Sequence, residues 1–178
     1  LDFAAQFPGV IFKSPKHLVN IWGSPTIGAG TEIAAFVEIG DGVVIGRDCK
    51  IGAYAFLCPG VHLGDEVFVG PRVTFTNDRH PPSARSDWEE TIVFKGASLG
   101  AGSIILPGVI VGPRALVGAG AVVTRNVEGG TTVCGNPARP LRRAAWSAQR
   151  TMMLREGYVP RDDVCDACEA GVPHGHFE

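Results

Sequence analysis

Residues 27–75 read I-G-A-G-T-E, I-A-A-F-V-E, I-G-D-G-V-V, I-G-R-D-C-K, I-G-A-Y-A-F, L-C-P-G-V-H, L-G-D-E-V-F, V-G-P-R-V-T and F. Each unit of six opens on a large apolar residue. Stepping by six from Ile21 meets Ile21, Ile27, Ile33, Ile39, Ile45, Ile51, Leu57, Leu63, Val69 and Phe75 without a break, and the series resumes as Val93, Leu99, Ile105, Val111, Val117 and Val123. Glycine often follows, as at Gly28, Gly46, Gly52, Gly64, Gly70, Gly100 and Gly118. A smaller or β-branched residue stands four positions after many of them, as at Thr31, Val37, Val43, Cys49 and Ala55.

A helix repeats every 3.6 residues and a half-buried strand every two, so a strict six with glycine inside the unit fits neither alone. Short strands joined by corners do fit: each hexapeptide is one flat face with its aliphatic pointing inward, and glycine is expected to supply the backbone angles of the corners. Three faces close a triangle, and eighteen residues make a coil. Ile21, Ile39, Leu57 and Phe75 then form one interior ladder, with parallel hydrogen bonds between coils.

Composition agrees. The chain has 178 residues, 45% of them hydrophobic, with 24 Gly and 13 Pro; glycine is roughly double its ~7% average usage. The expectation is one domain plus a tail, with no apolar stretch of the ~18 residues a membrane span needs. A net charge of −2 leaves no excess for gripping a polyphosphate backbone, so nucleic acid is not an expected partner. Five scattered cysteines do not suggest a disulfide framework, and a reducing, cytoplasmic setting is expected.

The units I-G-A-G-T-E (27–32), I-G-R-D-C-K (45–50) and V-G-A-G-A-V (117–122) resemble those of the hexapeptide-repeat acyltransferases, over roughly residues 20–143. The resemblance implies an all-β chain folded as a left-handed parallel β-helix with a C-terminal α-helix. Left-handedness comes from the resemblance, since crossovers are ordinarily right-handed. The expected organisation is a β-helix over 1–136 with an inserted active-site loop at about 76–92, a helical cap over 137–157, and a tail over 158–178.

The loop is where the period fails. N-D-R-H-P-P-S-A-R-S-D-W-E-E (77–90) offers no inward ladder and concentrates Asp78, Arg79, His80, Arg85, Asp87, Glu89 and Glu90. Long excursions from a compact scaffold usually carry function. V-T-F-T-N-D-R-H-P (73–81) resembles two branches of the family. In the galactoside and maltose O-acetyltransferases a His-Pro pair carries the catalytic base, which matches His80-Pro81; an imidazole, with an ordinary pKa of about 6.5, is suited to taking the proton. In the branch that N-acylates nucleotide-linked 3-amino sugars the signature F-T-N-D-R precedes a proline, and the Asn positions the amine. That match is longer and is favoured. It implies Asn77 and Asp78; with His80 from the first match they are the expected catalytic group, and Arg79 and Arg85 the expected substrate contacts. Pro82 departs from that branch, where a second basic residue is commoner.

The same resemblance implies acetyl-CoA as co-substrate, no required metal, and a pantetheine arm lying along the coil edges at Ala101, Ala119 and Thr124. Its phosphates would meet Arg139 and Arg142 in G-N-P-A-R-P-L-R-R (135–143). It also implies a homotrimer with active sites between subunits. Cys165-x-x-Cys168 with His174 and His176 is a weak zinc-like constellation, because H-x-H is tighter than usual ligand spacing. Three other readings stay open: an O-acetyltransferase using His80, a catalytically silent β-helix scaffold, and a carbonic-anhydrase-type metalloenzyme. The last would need three His, where the repeats and loop offer only His62 and His80.

Overall fold

The structure is a computed structural model that describes residues 6–15 and 18–141. Nearly every element is a strand of two or three residues, and the strands stack into three parallel sheets. The first sheet carries β1 (Ile11–Phe12), β4 (Glu32–Ile33), β7 (Lys50–Ile51), β10 (Phe68–Val69), β13 (Ser98–Leu99), β16 (Leu116–Val117) and β18 (Thr132–Cys134). The second holds β2 (Asn20–Ile21), β5 (Glu38–Ile39), β8 (Phe56–Leu57), β11 (Thr74–Phe75), β14 (Ile104–Ile105) and β17 (Val122–Val123). The third holds β3 (Thr26–Ile27), β6 (Val44–Ile45), β9 (Val61–Leu63), β12 (Thr91–Val93) and β15 (Ile110–Val111).

The expected ladder is present: Ile21 pairs with Ile39, and Ile39 with Leu57. Phe75, Leu57, Ile39, Ile33, Ile45, Leu99 and Ile105 are among the fully buried side chains, so the hexad aliphatics form one continuous core. The small position four residues on fills the corners. Thr31 is buried there because its hydroxyl donates to Gly46 O at 2.9 Å and accepts from Cys49 N at 3.1 Å, as a buried polar group requires.

The glycines after the aliphatics serve a purpose other than the one expected. None of those at 28, 46, 52, 64, 70, 100 and 118 has a positive φ. A Cβ at Gly100 would stand 2.5 Å from Ala119 N, and one at Gly52 2.5 Å from Pro71 N. Stacked backbones approach too closely there for any side chain. The left-handed corner residue comes two positions later, and it is Gly at 30, 42, 60, 96, 102, 108 and 120 but Phe36, Asp48, Tyr54, Glu66, Arg72 and Arg114 at six other corners. For such L-residues the conformation costs on the order of 1–2 kcal/mol each.

The loop enters at the corner between the second and third sheets. Pairing steps of eighteen residues become thirty between Leu63 and Val93, so the excursion inserts twelve residues and returns in register. Thr91 and Ile92 already belong to β12, so the loop proper is 76–90, a little shorter than expected. It contains a single 3-10 turn, Arg85–Asp87.

At the other end the expected helical cap over 137–157 is corrected in its described part. Residues 137–141 contain β19 (Arg139–Pro140), antiparallel to β18 with Cys134 opposite Arg139. Leu141 N donates to Thr132 O at 2.7 Å. The strand pairing satisfies backbone groups of the last coil that a helix would leave open. The β-helical unit spans Leu1–Leu141; the second unit, Arg142–Glu178, lies outside the described residues, and so do Arg142, Cys165, Cys168, His174 and His176.

Candidate active site

The loop is held by contacts to coils on both sides of it. Asn77 leaves the end of β11 and donates from Nδ2 to Pro59 O at 2.9 Å. Its own carbonyl accepts from Glu89 N at 2.9 Å, closing the base of the loop. The Nδ2 bond fixes which way the amide faces, and among the described residues no donor is recorded at its Oδ1.

Asp78 organises the loop's first turn. Its Oδ1 accepts from His80 N and the Ser83 hydroxyl, its Oδ2 from Ser83 N, each at 2.9 Å. Burial alone would raise this carboxyl, but the Ser83 amide and hydroxyl and the His80 amide outweigh it and hold the pKa below the usual carboxylate range. His80 itself is exposed, with its ring near enough to Asp78 and Glu89 to favour their charged forms.

Both expected substrate arginines are engaged with the protein. Arg79 forms a two-pronged pair with Glu89, Nε to Oε1 at 2.5 Å and Nη2 to Oε2 at 3.0 Å, and donates to Pro107 O at 2.7 Å. This pairing depresses the Glu89 pKa. Arg85 donates to Asp41 Oδ2 at 2.9 Å and stands over the Trp88 ring at 5.8 Å. Arg85, with the Ser24 amide, lowers the Asp41 pKa. Asp41 and Pro107 were missed from sequence, and so was the pairing of Glu89 with Arg79, since pairs 10, 28 and 44 residues apart leave no local signal.

Beside the loop lies a groove of about 320 Å³ lined by Asp41, Pro59, His62, Arg85, Trp88 and Glu90, among others. His62 points outward from mid-strand in β9 and faces Glu90 at 3.8 Å. Trp88 Nε1 is buried without a hydrogen-bond partner. Cys58, next to the anchoring Pro59, is no nucleophile: burial pushes its thiol up to about 12.

The expected cofactor positions fall on two edges of the prism. Ala101 and Ala119 are exposed on the corner between the first and second sheets, linked by Gly120 N to Ala101 O at 2.8 Å. Thr124 follows β17 on the loop's own edge, two coils beyond Phe75. Arg139 is exposed and lines a groove of about 230 Å³ at the last coil, together with Arg125 and Glu128. Among the described residues no cluster of three His, Cys, Asp or Glu is placed to hold a metal ion, and no helix is long and apolar enough to cross a membrane.

The bacterial transferase hexapeptide family, six repeats, matches residues 42–77 and 90–125, leaving out the loop. The chain is 57% identical over 49 residues to the dTDP-3-amino-3,6-dideoxy-alpha-D-galactopyranose 3-N-acetyltransferase of Aneurinibacillus thermoaerophilus, covering 28% of this chain and 26% of that one. A variant of perosamine N-acetyltransferase from Caulobacter crescentus, solved with CoA and GDP-perosamine, superposes with a TM-score of 0.64 at 25% identity over 75% of this chain and 57% of that one. AntD, an N-acyltransferase from Bacillus cereus solved with dTDP and 3-hydroxybutyryl-CoA, superposes with a TM-score of 0.68 over 87% and 94%; at 21% identity it speaks to the fold alone. The chain spans between 26% and 43% of the length of the first curated relatives it matches. Its hexapeptide repeats and its three stacked parallel sheets make the chain a left-handed parallel β-helix of the kind such repeats build.

Proposed function

We propose that this chain is an acetyl-CoA-dependent N-acyltransferase acting on the amine of a nucleotide-linked amino sugar, as in the building of glycan or lipopolysaccharide precursors in the cytoplasm. The observation that carries the reading is the fixed amide of Asn77: with Nδ2 committed to Pro59 O, its Oδ1 is the acceptor presented to an incoming N–H. The relative and the solved neighbour named above act on or bind sugars of this class, which supports it.

In this reaction the amine nitrogen attacks the thioester carbonyl and forms the C–N bond. The C–S bond breaks, and CoA leaves as its thiolate. The amine's surplus proton passes to the leaving sulfur or to water. Asn77 Oδ1 orients the amine; holding a nucleophile in line contributes far more than a single hydrogen bond, because orientation is settled before reaction. Asp78, Arg79 and Glu89 act one step back. They fix the loop, so Arg79 and Arg85 are assigned to positioning and not to direct phosphate contact. Ala101, Ala119 and Thr124 offer backbone groups to the pantetheine arm, and Arg139 a guanidinium to its phosphates.

A homotrimer fits the two-edge arrangement. Ala101 and Ala119 lie on one edge of the prism and Asn77 on another, so a cleft that joins them takes one edge from each of two subunits. The exposure of His80 beside Asp78 and Glu89 favours a second reading, O-acetylation with His80 as the base. Thermal shift separates both from a silent scaffold. Acetyl-CoA should raise the melting temperature by an amount that grows with the logarithm of its concentration above Kd, and no shift up to millimolar acetyl-CoA would refute an acyltransferase.

A further inference from the structure

The edge that carries Ala101 and Ala119 changes character toward the N-terminal coils. Its corner residues form one hydrogen-bonded column: Phe36 N to Leu18 O, Tyr54 N to Ala35 O, Arg72 N to Ala53 O, Gly102 N to Pro71 O and Gly120 N to Ala101 O. All five have positive φ. The last two are glycine, the residue this backbone favours, whereas the first three are bulky. Phe36 and Tyr54 are the only aromatic residues in this conformation among the described residues. They are 46% and 53% exposed, and their rings stack at 4.8 Å with 17° between planes. The Arg72 guanidinium lies 5.8 Å over the Tyr54 ring, and among the described residues no carboxylate pairs with it. Held in a costly conformation at the surface, these bulky side chains pack only on one another and leave an aromatic face open to a ligand.

Beside the rings is a groove of about 400 Å³. It is walled by Phe36 and Tyr54 on one side and by Asn20 and Glu38, which are paired across β2 and β5, on the other. An aromatic wall facing an amide and a carboxylate suits a flat heterocycle that carries N–H donors at its rim. Stacking takes the face, and Asn20 and Glu38 take the edge. Arg72 stands two coil steps away, ~10 Å at the usual strand spacing, about the reach of a nucleoside from base to diphosphate. It also sits in the coil from which the loop departs. Edge contacts beyond Arg72 toward Gly120 are those proposed above for CoA, so the edge before it is left for the acceptor.

The geometry points to a nucleoside diphosphate subsite on this edge, with the base against Phe36 between Asn20 and Glu38, and the diphosphate at Arg72. This rests on the reading of the chain as an acyltransferase of nucleotide-linked sugars, and it names where the nucleotide part is held.

The test uses the full chain with both rings removed, F36G together with Y54G, because glycine already occupies the same corner at 102 and 120 and suits the backbone. UDP, dTDP and GDP are titrated calorimetrically into wild type and variant. The wild type is expected to bind at least one of them, and the variant to bind that one more weakly by about tenfold or more, the usual worth of a base-stacking ring. R72G should weaken the diphosphate but not the free nucleoside. With an amino-sugar substrate the KM for the nucleotide sugar should rise while that for acetyl-CoA holds. Unchanged diphosphate binding by a folded variant, or failure of every diphosphate to bind wild type, overturns the subsite. So does a variant that falls to a smaller species by light scattering, which would make the edge a subunit contact. Failure of acetyl-CoA binding instead overturns the acyltransferase reading, and the diphosphate titration distinguishes the two.

Discussion

At the scale of single residues, substitution of Asn77 and of His80 separates the two proposed acceptor classes. With an amino-sugar acceptor, Asn77→Ala should lower turnover by ~10²-fold, because a misplacement of about 1 Å is worth that much. His80→Ala should cost less, since the leaving thiolate can take the amine's proton. A loss of ~10²–10⁴-fold for His80→Ala, the usual worth of a general base, together with loss of the acidic limb of the pH profile, would move the assignment to a hydroxyl acceptor. The carboxylates of the loop make a separate prediction. Asp41, Asp78 and Glu89 have lowered pKa values in the folded protein. Their contribution to holding the loop is therefore present above the unfolded carboxylate pKa of about 4 and is lost as pH falls through the lower folded values. Trp88, beside Arg85, reports it by fluorescence. Asp78→Asn should make the acid transition shallower, and an unchanged transition would remove Asp78 from that role.

At the scale of the element, the hexad was legible because inward side chains repeat exactly with the coil, so Ile21, Ile39 and Leu57 declare their stacking in the chain itself. The role of the glycines was not, because what crowds Gly100 is a backbone nitrogen nineteen residues away, that of Ala119. The two kinds of glycine are separable by stability. Gly100→Ala puts a methyl 2.5 Å from that nitrogen, and should cost about 1–3 kcal/mol or more, as overpacking does. Gly102→Ala meets nothing within 4 Å and bears only its φ of 67°, so it should cost about 1–2 kcal/mol. Urea denaturation of the two variants checks the order, and equal losses would contradict the close-approach account. The loop's place was equally legible, in the failure of the period after Phe75, but its wiring was not. Which arginine grips Glu89 and which grips Asp41 depends on how twelve inserted residues fold back over coils far away in sequence.

At the scale of the whole molecule, a β-helix is a rod whose edges are equivalent in backbone and differ only in what its corners carry. Here one edge carries the loop with Asn77, and another runs from the Phe36, Tyr54 and Arg72 column to the small residues at 101, 102, 119 and 120. In the proposed reaction the amine sits on one edge and the main CoA contacts on the other, so activity should require assembly. Light scattering is expected to give a trimer, and a fully active monomer would contradict the two-edge cleft. The central claim is that this chain moves an acetyl group from CoA to an amine on a nucleotide-linked sugar. The most direct measurement follows thiol release from acetyl-CoA across a panel of UDP-, dTDP- and GDP-linked amino sugars beside their hydroxyl counterparts, with mass spectrometry of the product. The account predicts release with at least one amino sugar, a product heavier by one acetyl group on nitrogen, and none with the matching hydroxyl sugar. Acetylation confined to hydroxyl acceptors, or no thiol release with any of the amino sugars from protein that binds acetyl-CoA, would contradict it.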